Sequence, residues 1–396
     1  MIWKNKTHEL DQFAADLMSA NPQLKYYIFG AGLMGRELLS VFMKYNCTVM
    51  FIDNSVDKQR DGIDGTEVIT LTEYLLRRDG QIIIAASKAN TVTIKQQLED
   101  NLLKHGEDFF LYDEFVDFIF PIISVYGFNQ SYVSLAQITL TERCTLKCKK
   151  CAHGCSYVDN ASAIDMTLQQ VYKSADSFFS KVDFVKEFVL IGGEPLLYRE
   201  LEIVIEYIGR RYRERISLFV ITTNGTIIPN KDILKACQKY NILFRISNYS
   251  YQVPRLKKTY QRLMDVLESY SISYVLSEEE HEWMDYGFEY VNRNESEDEL
   301  VKVFDACKTP CREIRENRFY YCVMARSISD NLGFHVGQDD YLDMDRLNGT
   351  DYRKELLEFT LGYSDKGYLD MCRHCNGAEA KNYPIPAAEQ VIRNDA

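Results

Sequence analysis

A chain of 396 residues is long for one domain and comfortable for two or three, each able to bury its own core. Its net charge of −12 argues against a nucleic-acid protein, because phosphate binding needs a basic face, and equally against an anionic membrane. No run approaches the roughly 20 apolar residues of a spanning helix, and Met1–His8 holds no apolar signal core, so a reducing cytoplasm is the expected compartment.

Residues 1–125 read as an α/β unit. Lys25–Phe29 predicts a short strand, followed by Gly30-Ala31-Gly32-Leu33-Met34-Gly35 and a helix to about Tyr45. Thr48–Ile52 predicts a second strand ending at Asp53. The continuous apolar run Ile82–Ala86 is the mark of a strand buried on both faces. Thr91–Lys104 predicts a helix, Asp108–Tyr112 a last strand, and Pro121–Gln130 a linker. Gly30, Gly32 and Gly35 thus form G-x-G-x-x-G between a strand and a helix, with Asp53 closing the next strand. That context predicts a Rossmann-like crevice for a nucleotide or nucleotide sugar, with phosphates on the helix N-terminus and Asp53 on a ribose or base. Ser87 and Lys88 would line the same crevice. The segment is similar to the N-terminal nucleotide-sugar-binding domain of certain sugar acetyltransferases; a fold of this type with an empty crevice is the alternative.

Residues 126–294 alternate strand and helix. Strands are expected at Gln137–Thr141, Phe188–Ile191, Leu218–Thr222, Ile242–Ile246 and Ser273–Leu276. Helices are expected through Leu168–Phe179, through Leu201–Ile208 and over Arg255–Tyr270, where apolar residues recur at helical spacing. Repeated βα units predict a parallel sheet curled into a partial barrel. A cysteine loop, Gly192-Gly193-Glu194-Pro195, Thr223-Asn224-Gly225 and Ser247-Asn248 each follow a strand. They would converge on the face where barrel enzymes assemble their sites.

Nine of the eleven cysteines fall in two clusters, and in a reducing compartment clustered thiols mean metal or redox chemistry. Cys47 and Cys237 stand alone and read as small buried hydrophobes. Cys144, Cys148 and Cys151 have the spacing C-x3-C-x2-C. Three thiolates on one loop can hold three corners of a cubane and leave the fourth iron open to a chelating ligand, such as the amino and carboxylate groups of a methionine. With Cys155 or His153 as a fourth ligand, the loop would make a zinc site instead.

That spacing, on a loop after a first barrel strand, resembles the radical S-adenosylmethionine superfamily. The resemblance implies a 4Fe–4S cluster on Cys144, Cys148 and Cys151 and a partial (β/α)6 barrel. Gly192-Gly193-Glu194 resembles the family's GGE motif, implying that Glu194 accepts hydrogen bonds from the methionine ammonium while the glycines admit the ligand. Asn224 and Ser247 lie where relatives contact the ribose and methionine carboxylate. Lys150 stands where the family usually has an aromatic residue, so adenine contacts would come from backbone. The implied chemistry is one-electron reduction of the cluster by a flavodoxin- or ferredoxin-like donor, then homolysis of a carbon–sulfur bond of S-adenosyl-L-methionine. The 5′-deoxyadenosyl radical formed abstracts hydrogen in a site that excludes water.

Residues 295–396 hold Cys307, Cys311, Cys322, Cys372 and Cys375 with few clear strands, as in a small metal-stapled domain. The pattern resembles the auxiliary-cluster domain called twitch, C-x(9–15)-G-x4-C and then a distant C-x2-C, implying a second 4Fe–4S cluster. Asn317 takes the glycine position, which it tolerates because asparagine visits the left-handed region. Cys307 meets the first spacing, and Cys311 serves if the turn differs; structural zinc is the alternative. An auxiliary cluster would accept the second electron of an oxidation. Epimerisation would need a thiol hydrogen donor, such as Cys155 or the spare member of Cys307 and Cys311. His281, Trp283 and Asp285 form a polar–aromatic group on the expected cavity side, His374 is expected to face solvent, and Asn292–Glu299 reads as an acidic linker.

The expectation is therefore a radical enzyme acting on a carbohydrate, nucleotide sugar or similar small polar substrate by oxidation or epimerisation. A radical peptide-modifying maturase is a second reading. A nucleotide-binding iron–sulfur electron-transfer module is a third, disfavoured because an electron carrier has no use for a methionine site at Gly192-Gly193-Glu194.

Overall fold

The computed structural model describes residues 9–288, 294–307, 309, 311–335, 337–362, 366–378 and 383–391. The signal-core expectation at Met1–His8 and the start of the acidic run at 292–293 lie outside them. The chain forms two compact units, 5–134 and 135–396.

In the first unit, β1 (Lys25–Phe29), β2 (Thr48–Ile52), β3 (Val68–Ile69), β4 (Gln81–Ile84) and β5 (Phe109–Leu111) make a parallel sheet in the order β3-β2-β1-β4-β5. Tyr27, Ile28, Ile82 and Ile83 are fully buried, as continuous apolar strands require. The winding direction reverses between β1 and β4, which opens a crevice beyond their C-terminal ends. The expected linker at Pro121–Gln130 is instead a helix, Phe120–Phe128, continuing a π-helical stretch, Phe115–Ile119. Pro121 falls where the π-helical turn gives way to the α-helix, with Ile119 already helical (φ −68°, ψ −51°), so the chain takes the proline at a changeover in hydrogen-bond pattern. Phe120, Ile122 and Ile123 are buried, and the helix stops at Asn129 in the left-handed region, φ 51°.

The second unit contains β6 (Tyr132–Thr139, entering from the first), β7 (Phe184–Ile191), β8 (Ile216–Thr223), β9 (Leu243–Ile246) and β10 (Tyr274–Leu276). After them come β11 (Glu282–Met284), β12 (Glu313–Arg315), β13 (Arg318–Tyr320), β14 (Tyr341–Asp343) and β15 (Pro384–Pro386). One eight-stranded sheet runs β10-β9-β8-β7-β6-β12-β13-β14. The pairs β7–β8, β8–β9, β9–β10 and β6–β12 are parallel, and β12, β13 and β14 form an antiparallel meander. Helices Leu168–Lys181, Leu201–Tyr212, Lys231–Lys239 and Leu256–Ser269 link the barrel strands.

The segment from 295, expected as a separate small domain, thus extends the barrel sheet. The physical tie is explicit. Gln137 donates its backbone N–H to the Arg312 carbonyl at 2.9 Å. Arg326, on helix Val323–Leu332, is buried between Glu313 of β12 (2.6 Å) and Glu142 after β6 (3.1 Å). The acidic run also departs from expectation: Glu297–Ala306 is a helix capped by Ser296, with Glu297, Asp298 and Glu299 in the first turn, where negative charge suits the helix dipole. Among the described residues no helix is long and apolar enough to cross a membrane.

Candidate functional site

A cavity of about 360 Å³ opens at the C-terminal ends of β7, β8 and β9. Cys144, Cys148 and Cys151 line it, and so do Gly192, Gly193, Asn224 and Ser247. Seven of the eight residues expected there from sequence therefore share one space; Glu194 does not line it.

The cysteine loop is held from within. Asn160 clasps the backbone of Cys144, accepting from its N–H at 3.2 Å and donating to its carbonyl at 2.8 Å. Lys147 turns its ammonium away from the thiols onto the carbonyls of Cys155 (2.8 Å) and Val158 (2.7 Å). Burial pushes the Cys144 and Cys148 thiols up to about 12, so as bare groups they would stay protonated. A hydrogen bond from the Cys155 thiol, with backbone donors from the same loop, brings Cys151 down to about 7.

Each of the first two thiols also has an amide donor. Asn224 Nδ2 stands 3.5 Å from Cys144 Sγ, and Gln390 Nε2 stands 3.2 Å from Cys148 Sγ. Among the described residues no group of three or more His, Cys, Asp or Glu is closed up as a single metal ion would need. Three converging thiols with N–H donors aimed at sulfur are the donor set of an iron–sulfur cluster, whose sulfurs take such hydrogen bonds.

The glycines and Glu194 also have roles inside the fold. A Cβ on Gly193 would lie 2.3 Å from the Arg143 carbonyl oxygen and 2.9 Å from Cys144 Cβ; on Gly192 it would meet the Thr141 carbonyl at 2.6 Å. They let the β7 loop lie directly on the cysteine loop. Glu194 is fully buried. Its Oε1 accepts from Thr223 Oγ1 (2.7 Å) and Leu196 N (3.1 Å), and its Oε2 accepts from Asn224 N (2.9 Å). The carboxylate braces the β8 turn that carries Asn224, while burial pushes its pKa up to about 7. Glu194→Gln sets an NH2 against one of these donors. We expect it to cost about 1–3 kcal/mol in urea-induced unfolding; an unchanged midpoint would contradict the bracing role.

Lys150 lines the cavity and pairs with buried Asp285 at 3.1 Å. Of the polar–aromatic group, Trp283 lies on the wall and packs edge-on against Tyr249, centroids 5.6 Å apart. His281 stacks on the outer side of Tyr249, and Asp285 is engaged by Lys150. His153 also lines the cavity; burial and Arg326 push its pKa down to about 4, so the imidazole is neutral. Sequence reading missed Tyr249, Tyr286 and Gln390, since none sits in a motif.

The remaining thiols form a second group. Cys307 ends helix Glu297–Ala306, Cys322 precedes helix Val323–Leu332, and Cys372 and Cys375 sit on the turn at 370–375. Cys322 and Cys372 each feel the charge of Cys375 and of Cys307. Backbone N–H groups of Ala378 and Gly377 donate to Cys307 Sγ (3.2 Å) and Cys375 Sγ (3.3 Å). Cys311 packs against the same cluster as Cys322 and Cys375, and Arg312, Glu187 and Glu313 also act on it. Tyr286 lines the first cavity, and its hydroxyl feels Cys311, Cys375, Cys322 and Cys307. His374 is buried and stacks on Phe334 at 4.0 Å rather than facing solvent. Cys237 is fully buried, as expected, and Cys47 is half-buried.

In the first unit a crevice of about 510 Å³ lies at the β1/β4 reversal, lined by Gly30, Gly32, Asp53 and Ser87 but not by Lys88. Gly30, at φ +115°, has the Ala85 carbonyl 2.4 Å from a would-be Cβ, and Gly35 has the Gly30 carbonyl at 2.1 Å; Gly32 has nothing within 4 Å. Asp53, expected on a ribose or base, lines the crevice and accepts from Ala31 N (3.0 Å), Ser55 N (2.9 Å) and Lys58 Nζ (2.8 Å). Polar side chains of Asn54, Asn90, Thr93 and Gln97 supply the remaining wall.

Residues 138–269 match the model of the Radical SAM superfamily. Molybdenum cofactor biosynthesis protein 1 of Dictyostelium discoideum is 31% identical over 104 residues, 26% of this chain and 16% of the relative. GTP 3',8-cyclase of Rhizobium etli (strain CIAT 652) is 24% identical over 108 residues, 27% of this chain and 29% of the relative. The chain spans less than a third of the length of these curated relatives. Among solved structures, BtrN in complex with AdoMet and 2-DOIA is 16% identical, covering 65% of this chain and 100% of that one with a TM-score of 0.38. Native anSMEcpe with bound AdoMet is 17% identical, covering 36% of this chain and 43% of that one with a TM-score of 0.30. Residues 138–269 thus carry a radical SAM domain, a family that implies a 4Fe–4S cluster and S-adenosylmethionine.

Proposed function

We propose that the protein is a radical S-adenosylmethionine enzyme that oxidises or epimerises a small polar molecule, with a carbohydrate or nucleotide sugar favoured. The observation that carries the reading is the single cavity shared by Cys144, Cys148, Cys151, Gly193, Asn224 and Ser247. The three thiolates would hold the 4Fe–4S cluster, and Gly192, Gly193, Asn224 and Ser247 would hold S-adenosylmethionine. When bound, this pair supplies a carbon radical able to remove hydrogen from an unactivated C–H bond.

The chain's own residues do the rest. Asn224 and Gln390 donate to the Cys144 and Cys148 sulfurs, which favours the more negative state of whatever those sulfurs hold. Trp283, Met284 and Tyr249 make an apolar wall that keeps water from a reactive intermediate. Lys150, anchored on Asp285, places a cation on that wall that can hold an anionic or hydroxylated substrate. Cys322, Cys372 and Cys375, with Cys307 or Cys311, would hold a second cluster, and Tyr286 both packs against that thiol group and lines the cavity. That adjacency favours oxidation, because a nearby cluster can take the second electron. The spare member of Cys307 and Cys311 is the thiol nearest in kind to the hydrogen donor that epimerisation would need.

The test is anaerobic reconstitution with iron and sulfide, then reductant, S-adenosylmethionine and a panel of deuterated nucleotide sugars. Deuterium is expected in 5′-deoxyadenosine from the true substrate class. Intact clusters with no 5′-deoxyadenosine under any condition would return the protein to the electron-transfer reading, and label arriving only from peptides would favour the maturase reading.

The first unit would bind a nucleotide or nucleotide sugar in its own crevice. Gly32→Ala is expected to leave the melting temperature unchanged, because the added methyl meets open space. It should weaken nucleotide-sugar binding measured by calorimetry about tenfold, since backbone approach at this glycine is what phosphate contact needs. Gly30→Ala should destabilise the unit itself. Equal binding by wild type and Gly32→Ala would contradict the assignment.

A further inference from the structure

We infer that Gln390 is a positioning residue for the first cluster: from 242 residues further along the chain it fixes Cys148 and raises the reduction potential of the cluster that this thiolate would hold. The inference rests on the radical reading above and adds to it a part of the chain outside the matched domain.

The geometry is a strap. Strand β15 pairs antiparallel with β11, whose Glu282, Trp283 and Met284 line the cavity. Beyond β15 the chain runs alongside the cysteine loop. Lys149 N donates to the Glu389 carbonyl and Val391 N to the Lys147 carbonyl, both at 2.7 Å, so Cys148 and Gln390 face each other across an antiparallel bridge. Lys149 Nζ and Glu389 Oε1 add an ion pair at 2.6 Å.

The amide of Gln390 is fully determined within this bridge. Its Oε1 accepts from Lys147 N at 3.0 Å, and its Nε2 donates to Cys148 Sγ at 3.2 Å and to the Ala388 carbonyl at 2.7 Å. The opposite orientation would set an oxygen against the sulfur and an NH2 against the Lys147 N–H, leaving three partners unmatched. A donor is therefore held on the sulfur of a thiol that is only 7% exposed. Water competes weakly there, and the bond counts for more than at a surface.

A cluster gains negative charge on reduction, and hydrogen bonds to its sulfurs are among the factors that set its potential. A donor on the Cys148 sulfur favours the reduced state. Cys151 takes its donors from its own loop, and Cys144 takes one from Asn224. Gln390 is the contribution from outside the barrel.

The test is an electron paramagnetic resonance titration of the full-length reconstituted protein, following the reduced-cluster signal that S-adenosylmethionine perturbs. Gln390→Glu keeps the oxygen toward Lys147 N and removes the donor; Gln390→Ala removes both. Both are expected to keep wild-type iron content. Each should lower the ratio of reduced to oxidised cluster at fixed poise about tenfold, which is about 59 mV for a one-electron couple. Glu389→Gln keeps the backbone bridge and should leave the midpoint in place. An unchanged midpoint in both Gln390 variants, loss of the iron in both, or an equal shift in Glu389→Gln would overturn the inference. A wild-type protein with intact clusters and no signal that responds to S-adenosylmethionine would sink the radical reading instead.

Discussion

Cys148→Ala is expected to halve the iron of the anaerobically reconstituted protein, from about eight to about four atoms per chain, and to abolish 5′-deoxyadenosine formation. Two thiolates of the loop would remain, too few to hold three corners of a cubane. The Gln390 amide would lose its acceptor at the same time. The second thiol group should keep its metal, because Cys307, Cys322, Cys372 and Cys375 are placed by different helices and turns. Iron and sulfide analysis with a 5′-deoxyadenosine assay checks both halves of the expectation. Full iron retention would remove Cys148 from the ligand set. Loss of all iron would mean that the two groups do not load independently.

Arg326→Met is expected to destabilise the second unit by about 3–5 kcal/mol, because it leaves Glu313 and Glu142 buried without their common cation. For a unit of this size that is a fall in melting temperature of roughly 6–20 °C. Glu313 is fully buried, and burial pushes its carboxyl above the ordinary range even with Arg326 beside it. Without the guanidinium that carboxyl rises further, and the folded state holds a proton that the unfolded state releases near its ordinary value of about 4.3. The folded state then binds more protons, so stability falls as pH rises above that value. The penalty should be larger at pH 8 than at pH 5, read by thermal unfolding at both. The double variant Glu313→Leu with Arg326→Met should recover most of the loss. A small, pH-independent effect would show that the triad does not hold β12 to the barrel.

What was legible in sequence follows from element length and burial. Strands β1 and β2 carry their apolar runs edge to edge, and the sequence reading and the structure agree on Lys25–Phe29 and Thr48–Ile52 residue for residue. The meander β12, β13 and β14 was not legible: each strand has three residues, too short for an alternation to register. Helix Phe120–Phe128 was hidden by Pro121, which reads as a breaker unless it is known to follow a π-helical turn. The residues at the strand ends were found by type, but not all by role. Glu194 and Asp53 are carboxylates in motifs and both are engaged by neighbouring donors, but only Asp53 also lines its cavity. No local pattern marks Gln390, whose partner lies 242 residues earlier.

That separation has a consequence for how the protein is made. At about 5–20 residues per second, a ribosome reaches Gln390 roughly 12–50 seconds after Cys148. During that interval the cysteine loop exists without its clasp, and Trp283 without the strand that holds its own. Insertion of iron and sulfide has an open doorway through that interval, and the arrival of Gln390 closes it.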